Sequence, residues 1–202
     1  GNLLGAEQSG FIADIGFETY QKILAEAIAE LRAEGLDCPS LEAGAEAVGG
    51  RAGYVDDAHI DIEVEAGLPD TYVSQQAERL KLYRELDSTR DEEALTAFAA
   101  RLEDRFGPLP KAARELLDVV RLRWEAIRLG MERVKVKNGL MIVHFVGEEN
   151  SPFYKTDTFM ELLRRVTQHP DRFVLKQHNN RLAMTVRKIA DIEQAYKTLR
   201  EL

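Results

Sequence analysis

The sequence predicts an α+β fold, a helical segment followed by a small antiparallel sheet of two β-hairpins packed with helices. Apolar residues recur every three or four positions from about residue 70 to residue 130, which is typical of amphipathic helices. From residue 131 the apolar period becomes two, and the turn-forming pairs Asn138–Gly139 and Asn179–Asn180 interrupt it. The order hairpin–helix–hairpin–helix favours four antiparallel strands with helices on one face.

The first 57 residues predict a helix and a linker. Residues 14–35 carry an apolar stripe at helical spacing, with Asp14 able to cap its start and Gly35 able to end it. Residues 36–57 are rich in glycine, alanine and acid, and have few large apolar groups to offset the entropy of ordering. We therefore interpret residues 36–57 as a flexible acidic linker and residues 58–202 as one α+β domain.

Within residues 58–202, the segment "HIDIEVEA" predicts a half-buried strand, because Ile60, Ile62 and Val64 alternate with polar residues. Thr89 and Glu92 have the spacing of a capping box at a helix start. Pro108 and Pro110 suit a turn and the first position of the next helix, and Gly130 suits its end. The three predicted helices have the apolar stripes Leu80, Tyr83, Leu86; Leu95, Phe98, Leu102; and Leu116, Val120, Trp124, Ile127.

The net charge of −8 is unevenly distributed. Residues 1–70 hold 15 acidic residues against 3 basic ones, whereas residues 71–202 hold 20 against 24. No apolar run reaches the roughly 18 residues of a membrane span. We therefore expect no membrane association. The lone cysteine, Cys38, has no partner for an internal disulfide, which favours a reducing cytoplasm.

Motifs for catalysis are missing from the sequence. It contains no G-x-x-x-x-G-K-[ST] loop for a nucleotide and no paired cysteines or H-E-x-x-H spacing for zinc. No two of the four histidines have the spacing that would place them on one helix face. The acidic residues that are adjacent in sequence would point their side chains apart on a helix, which disfavours chemistry that needs two carboxylates together. We therefore expect no catalytic residue, no metal site and no cofactor in this chain.

A cluster of basic residues near two aromatic side chains has two interpretations. It is either a contact for nucleic acid or a solvated face diluted by Glu161 and Asp171, and the second is favoured. The cluster consists of Arg164, Arg165, Arg172, Lys176 and Arg181, beside Tyr154 and Phe173.

An ordered series of motifs, "GNLLGAEQSG", "GFETY", "LPDTYV", "RLKLYREL" and "EDRFGPLP", resembles the C-terminal end of the bacterial transcription-repair coupling factors, the Mfd family. The opening decapeptide lacks an initiator Met and is similar to the tail of a translocation motif that RecG-like helicases share. We therefore expect the chain to be a piece of a longer protein, with residues 1–35 holding the end of that motif and a following helix.

The resemblance implies that Gln8 couples nucleotide state to grip on duplex DNA, because its amide can both donate and accept a hydrogen bond. Gly5, Ser9 and Gly10 belong to the same motif, and the glycines permit a tight backbone around it. The upstream half of the motif is missing from this chain, so we expect neither translocation nor ATP hydrolysis by the fragment. ATP and Mg would bind upstream domains of the parent protein.

The resemblance also implies that residues 58–202 are an autoinhibitory domain. In the family this domain packs on the module of the same chain that recruits UvrA, and masks it until RNA polymerase is engaged. Asp104 matches an acidic docking residue of the family, and Arg101 stands where a second acid is expected. The alternative is a nucleic-acid-binding accessory domain of a RecG-like helicase.

Overall fold

The computed structural model describes residue 55, residues 58–148 and residues 150–202. The helix predicted over residues 14–35 lies outside the described residues, and so does the predicted linker apart from Val55. Within residues 58–148 and 150–202, no helix combines the length and the apolar character that crossing a bilayer requires. The described chain divides into two compact units, a helical unit (residues 65–117) and a sheet unit (residues 55, 58–64 and 118–202).

The helical unit contains α1 (Gln76–Asp87), α2 (Glu92–Phe106) and the first turns of α3 (Lys111–Arg128). The predicted stripes of α1 and α2 are confirmed, because their apolar members are all buried: Leu80, Tyr83, Leu86, Leu95, Phe98 and Leu102. The predicted capping box at the start of α2 is wrong. Asp91 directly precedes the helix and accepts a hydrogen bond from the Ala94 amide at 2.7 Å. Thr89 instead donates to the Leu86 carbonyl at 2.6 Å, at the end of α1.

The stripe predicted for α3 is partly wrong. Leu116 and Val120 are buried, but Trp124 and Ile127 are only half-buried. Leu122, Ala126 and Leu129, all 0% exposed, take the interior positions instead. The helix begins at Lys111, one residue after Pro110, whose carbonyl accepts the first helical hydrogen bonds.

The sheet unit contains a five-stranded mixed sheet in the order β1-β2-β3-β5-β4, so the expectation of four strands is corrected. The four antiparallel strands are as predicted, and β1 adds to the edge, parallel to β2. The sheet unit consists of β1 (His59–Ile62), the rest of α3, β2 (Met131–Lys137), β3 (Leu140–Phe145), a 3-10 turn (Pro152–Lys155), α4 (Asp157–Gln168), β4 (Phe173–His178), β5 (Arg181–Arg187) and α5 (Ile192–Arg200).

The strand predicted from "HIDIEVEA" is shorter than the alternation suggested. Pairing with β2 ends at Ile62, opposite Val136, and Val64 lies beyond the strand with 46% of its surface exposed. Ile60 is buried, while Ile62 is half-buried. An alternating pattern makes a strand only as far as a partner backbone is available for hydrogen bonding.

Both predicted hairpin turns are confirmed. Asn138 and Gly139 have φ angles of 53° and 75°, and Asn179 and Asn180 have φ angles of 50° and 61°. Two consecutive positive φ values are the signature of the type I′ turn, whose twist matches that of the flanking strands.

One face of the sheet is covered by an apolar core with an aromatic cluster at one end. Phe153 lies 6.4 Å from Phe145 and 5.4 Å from Phe159, measured between ring centroids. Gly130 ends α3 with a φ of +67°, and a Cβ there would lie 2.6 Å from the Phe153 ring. The glycine is therefore required both by its backbone angle and by the ring packed against it.

Candidate functional site

The two docking positions that the family resemblance singled out, Asp104 and Arg101, lie on α2, and one side of this helix is exposed. Glu93, Ala97, Ala100 and Asp104 follow one another at steps of four, three and four residues, which places them on one face. All four are exposed, and we call them the α2 outer face. Leu95, Phe98 and Leu102 form the buried side of the same helix. The α2 outer face therefore has a floor of small side chains with a carboxylate near each end.

Both ends of α2 are fixed by side chains. Asp91 caps the first turn, where its carboxylate also complements the positive end of the helix dipole. At the other end, Tyr72 donates its hydroxyl to the Gly107 carbonyl at 2.7 Å and lies 3.2 Å from the Leu102 carbonyl. Gly107 has a φ of +90°, so only a glycine ends the helix there without strain.

Burial raises the pKa of Tyr72, and the nearby carboxylate of Glu103 raises it further. The hydroxyl therefore keeps its proton at neutral pH and remains a hydrogen-bond donor. The Tyr72 ring also packs 5.7 Å from the Phe106 ring, which carries the Arg105 guanidinium 4.8 Å from its centroid. The C-terminal turn of α2, which includes Asp104, is thus held by two aromatic side chains.

Arg101 borders the α2 outer face, four residues after Ala97 and three before Asp104, but its guanidinium is directed to α1. It forms an ion pair with Glu85 of α1, and one turn later Arg105 pairs with Glu78 at 2.6 Å. Arg101 and Arg105 are four residues apart and therefore lie on one face of α2. Glu78 and Glu85 are seven residues apart and likewise lie on one face of α1. Two parallel ion pairs therefore join α1 to α2, and Arg101 has a structural partner within its own unit.

The loop before α1 is tied to that helix by two buried polar side chains. Arg79, 4% exposed, donates to the carbonyls of Val73 and Ser74, the second at 3.1 Å. Tyr83 accepts a hydrogen bond from the Leu68 amide at 2.8 Å, and burial raises the pKa of this tyrosine. Sequence reasoning missed these contacts, and the sequence of α1, which holds Arg79, Lys81 and Arg84, gives no signal that Arg79 is the buried one.

The structure divides the predicted basic cluster in two: Arg164, Arg165 and Arg172 line one cavity, whereas the other two members lie on the sheet. Arg164 and Arg165 both pair with Glu161 on α4, at 2.9 Å for Arg165. Hydrogen bonds from the two guanidinium groups lower the pKa of Glu161 to about 2. Arg172 donates to the Thr198 hydroxyl at 3.0 Å. Only two members lie on the sheet, Lys176 on β4 and Arg181 on β5.

The histidines in the described residues lie apart along the chain. His59 is on β1, His144 on β3 and His178 at the end of β4, and His169 follows α4. In residues 58–148 and 150–202, no three histidine, cysteine, aspartate or glutamate side chains are grouped so that they could hold a metal ion. Gly5, Gln8, Ser9, Gly10 and Cys38 lie outside the described residues, and the role expected of Gln8 stays a prediction.

The same region matches a known domain family. Residues 62–156, which run from the end of β1 to the start of α4, match the TRCF domain. A solved structure described as the C-terminal domain of transcription-repair coupling factor shares the fold, with a TM-score of 0.55 and 16% sequence identity. The match covers 72% of this chain and 92% of that chain. The fold and the domain match thus define an α+β domain of the TRCF class.

Curated relatives make the assignment specific. The transcription-repair-coupling factor of Staphylococcus aureus strain USA300 is 30% identical over 144 residues, which cover 71% of this chain and 11% of the relative. That of Staphylococcus epidermidis is 31% identical over 140 residues, covering 68% of this chain and 10% of the relative. This chain belongs to the transcription-repair-coupling factor family and spans about a tenth of the length of these relatives.

Proposed function

We propose that this chain is a regulatory domain of a longer transcription-repair coupling factor, and that it masks the module of the same protein that recruits UvrA. The observation that carries the proposal is the α2 outer face, an exposed acidic helix surface within the TRCF domain. The whole protein would use ATP and Mg in upstream domains to translocate on double-stranded DNA, displace stalled RNA polymerase and recruit UvrA in the cytoplasm. The chain itself would hydrolyse no ATP.

The composition of the α2 outer face suits a contact that must open. Ala97 and Ala100 allow a partner backbone to approach closely, and Glu93 and Asp104 can pair with basic side chains at the edges of the contact. Contacts between domains of one chain typically bury about 600–1,500 Å² and are rather polar. Keeping such a contact 99% closed requires only about 2.7 kcal/mol. A few charge pairs and close packing against two alanines are sufficient for that.

In this proposal Asp104 contacts the UvrA-recruiting module directly, as the resemblance implies. Arg101 acts differently, by holding α2 against α1 through Glu85. A basic residue at this position is then compatible with an acidic docking surface, because its charge is compensated within the helical unit.

The first test is capture of UvrA by the intact parent protein carrying the double reversal E93K and D104K. Loss of masking should raise the amount of UvrA captured at least several-fold over the unmutated protein. The matched control is E201K, which reverses an exposed carboxylate at the end of α5 in the sheet unit. It should capture no more UvrA than the unmutated protein does.

Two outcomes would contradict the proposal. Equal capture by the double variant and the unmutated protein would exclude the α2 outer face as the masking surface. Increased capture by E201K alone would place the masking surface in the sheet unit. Thermal unfolding of each variant establishes that the changes in capture do not come from unfolding.

The predicted role of Gln8 has its own test in the intact protein. Q8A should leave ATP binding and DNA binding nearly unchanged but slow translocation along duplex DNA, which triplex displacement measures. Triplex displacement at the unmutated rate would mean that Gln8 has no coupling role.

A further inference from the structure

The sheet has one covered face and one open face. Along β3, Met141, Val143 and Phe145 are buried against the core, while the alternate residues Ile142 and His144 point to the other side. The strand register extends this second surface across all five strands. We call it the open sheet face, and it consists of His59 and Asp61 on β1, Arg133, Lys135 and Lys137 on β2, Leu140, Ile142 and His144 on β3, Arg181, Ala183, Thr185 and Arg187 on β5, and Val174, Lys176 and His178 on β4.

The open sheet face is strongly basic in a chain whose net charge is −8. Its strand positions hold six lysine and arginine side chains and a single carboxylate, that of Asp61. These residues are scattered along the sequence from position 59 to position 187, so no sequence window reveals the concentration of charge. Only the strand register brings them onto one surface.

Most of these cations are not neutralised by neighbours. Arg133 lies 3.8 Å from Asp61, and Lys137 lies 3.1 Å from Glu63, which follows β1. Lys135, Lys176 and Arg181 form no ion pair with any residue that the structure describes. Lys176 and Arg181 are exposed, and Lys135 is half-buried. A surface that keeps such cations without carboxylate partners attracts an anionic ligand.

The cations are spread over the sheet in two directions. Along β2, Arg133, Lys135 and Lys137 follow one another at steps of about 6.8 Å, twice the rise of a strand residue. Across the sheet, Arg133 and Lys176 lie in one row, three strand spacings or about 14 Å apart. This spread suits a polyanion with charges at regular intervals rather than a single small anion.

The side chains between the cations determine which polyanion fits. The positions between them hold Leu140, Ile142, His144, Ala183, Thr185 and Val174, and none of the strand positions of the open sheet face holds a phenylalanine, tyrosine or tryptophan. Single-stranded nucleic acids are usually held by stacking on such rings. The energetic anchors of protein interfaces are enriched in tryptophan and tyrosine, whereas leucine, here Leu140 with 37% of its surface exposed, is under-represented among them. Phosphate contacts without stacking are the way proteins hold duplex DNA irrespective of its sequence.

We propose that the open sheet face binds the phosphate backbone of double-stranded DNA without reading its sequence. Lys135, Lys176 and Arg181 are the principal contacts, since none of them must first leave a carboxylate. The surface shares Lys176 and Arg181 with the basic cluster that the sequence suggested. It excludes Arg164 and Arg165, which are paired with Glu161 on α4. The inference does not depend on the masking function, because the α2 outer face belongs to the other unit.

The test uses the complete 202-residue chain and a fluorescent duplex of mixed sequence, about 20 base pairs or two helical turns long. Anisotropy is measured from about 25 to 200 mM NaCl, the range over which phosphate contacts weaken steeply. Six contacts would give a slope of log K against log salt of up to about −5. The double variant K135E and K176E should reduce that slope by about two and weaken binding at low salt at least about tenfold.

The matched control is the double variant K81E and R200E, which makes the same change in net charge at exposed positions on α1 and α5. It should weaken binding much less than K135E with K176E. Undetectable duplex binding at about 25 mM NaCl, or equal weakening by the control, would overturn the proposal. Tighter binding of polyglutamate than of the duplex would also overturn it, because the face would then be built for an acidic protein. None of these outcomes bears on the masking function, which the UvrA capture experiment tests separately.

Discussion

In the helical unit, polar side chains bind the backbone of the loops. The sheet unit also has such contacts, for example from Arg128 to the Leu199 carbonyl, but strand ladders and packed rings join its elements as well. Tyr72, Arg79 and Tyr83 each bind backbone groups of loops that flank α1 and α2. The sheet unit instead has four strand pairings and the aromatic cluster around Phe153. Two short helices bury little apolar area, so individual polar contacts become important there.

The surfaces of the two units differ as well. The α2 outer face carries two carboxylates on a floor of alanines, and the open sheet face carries six cations. The net charge of −8 describes neither surface. Charge in this protein is therefore separated by surface as well as by sequence segment.

The largest effect should come from the aromatic cluster. Phe153 is 1% exposed and contacts the rings of Phe145, Phe159 and Tyr154. F153A should lower the free energy of unfolding by about 3–5 kcal/mol, because it removes apolar contacts and leaves a cavity. Urea denaturation measures this loss, and F153L, which fills much of the cavity, should be clearly milder. A loss below about 1 kcal/mol would mean that the ring cluster does not stabilise the sheet unit.

The next effect should come from a polar contact of the helical unit. Y83F keeps the packing of the ring but leaves the Leu68 amide without its acceptor at a buried position. The cost should be about 1–3 kcal/mol, the range for a buried donor left unsatisfied. Denaturant unfolding tests this value, with Y196F on α5 as a control because no described hydrogen bond uses that hydroxyl. Equal stability of Y83F and Y196F would mean that the hydrogen bond between Tyr83 and Leu68 does not stabilise the helical unit.

A smaller effect is expected for the ion pair between α1 and α2. The side chains of Arg101 and Glu85 are 57% and 43% exposed, so solvent screens their attraction. R101E should cost about 1 kcal/mol or less, because it places two carboxylates face to face. The swap R101E with E85R should recover most of that loss. Lack of recovery would show that Arg101 is held by something other than charge.

The smallest effect concerns the pH dependence of stability. Burial raises the pKa of Asp118, and the hydrogen bond and charge of Arg121, 2.9 Å away, oppose that rise only in part. A carboxyl whose pKa is higher in the folded than in the unfolded state destabilises the fold at neutral pH. That penalty disappears as the pH falls below its ordinary pKa of 3.8.

D118N should therefore be slightly more stable than the unmutated chain at pH 7, with the difference vanishing in acid. Unfolding measured from pH 7 to pH 3 follows this difference directly. Glu161 is expected to act in the opposite sense, because its pKa is lowered to about 2 and its contribution is lost as the pH falls from its ordinary value of 4.5 towards 2. If D118N and the unmutated chain differ in stability by the same amount at every pH, the raised pKa of Asp118 does not cause the difference.

Local patterns in the sequence were enough to predict the α+β class, the stripes of α1 and α2, and both hairpins. These features depend on residues close together in the chain: an apolar period of 3.6 or 2, and asparagine or glycine pairs that accept positive φ. The predictions that were wrong have two causes. The cap of α2 was a choice between two local candidates, and Asp91 caps the helix two residues after Thr89, which bonds to Leu86 instead. The length of β1 depends on a neighbour distant in sequence, since the strand ends where β2 no longer pairs with it.

Only the tertiary structure decided which charged residues face one another. Arg101 is assigned to Glu85 rather than to the α2 outer face because two helices place their side chains in contact, 16 residues apart in sequence. The open sheet face likewise exists only because strand register brings residues from β1 to β5 onto one surface. Charge acts over distances in space, and a sequence read along one dimension does not contain those distances until the chain is folded.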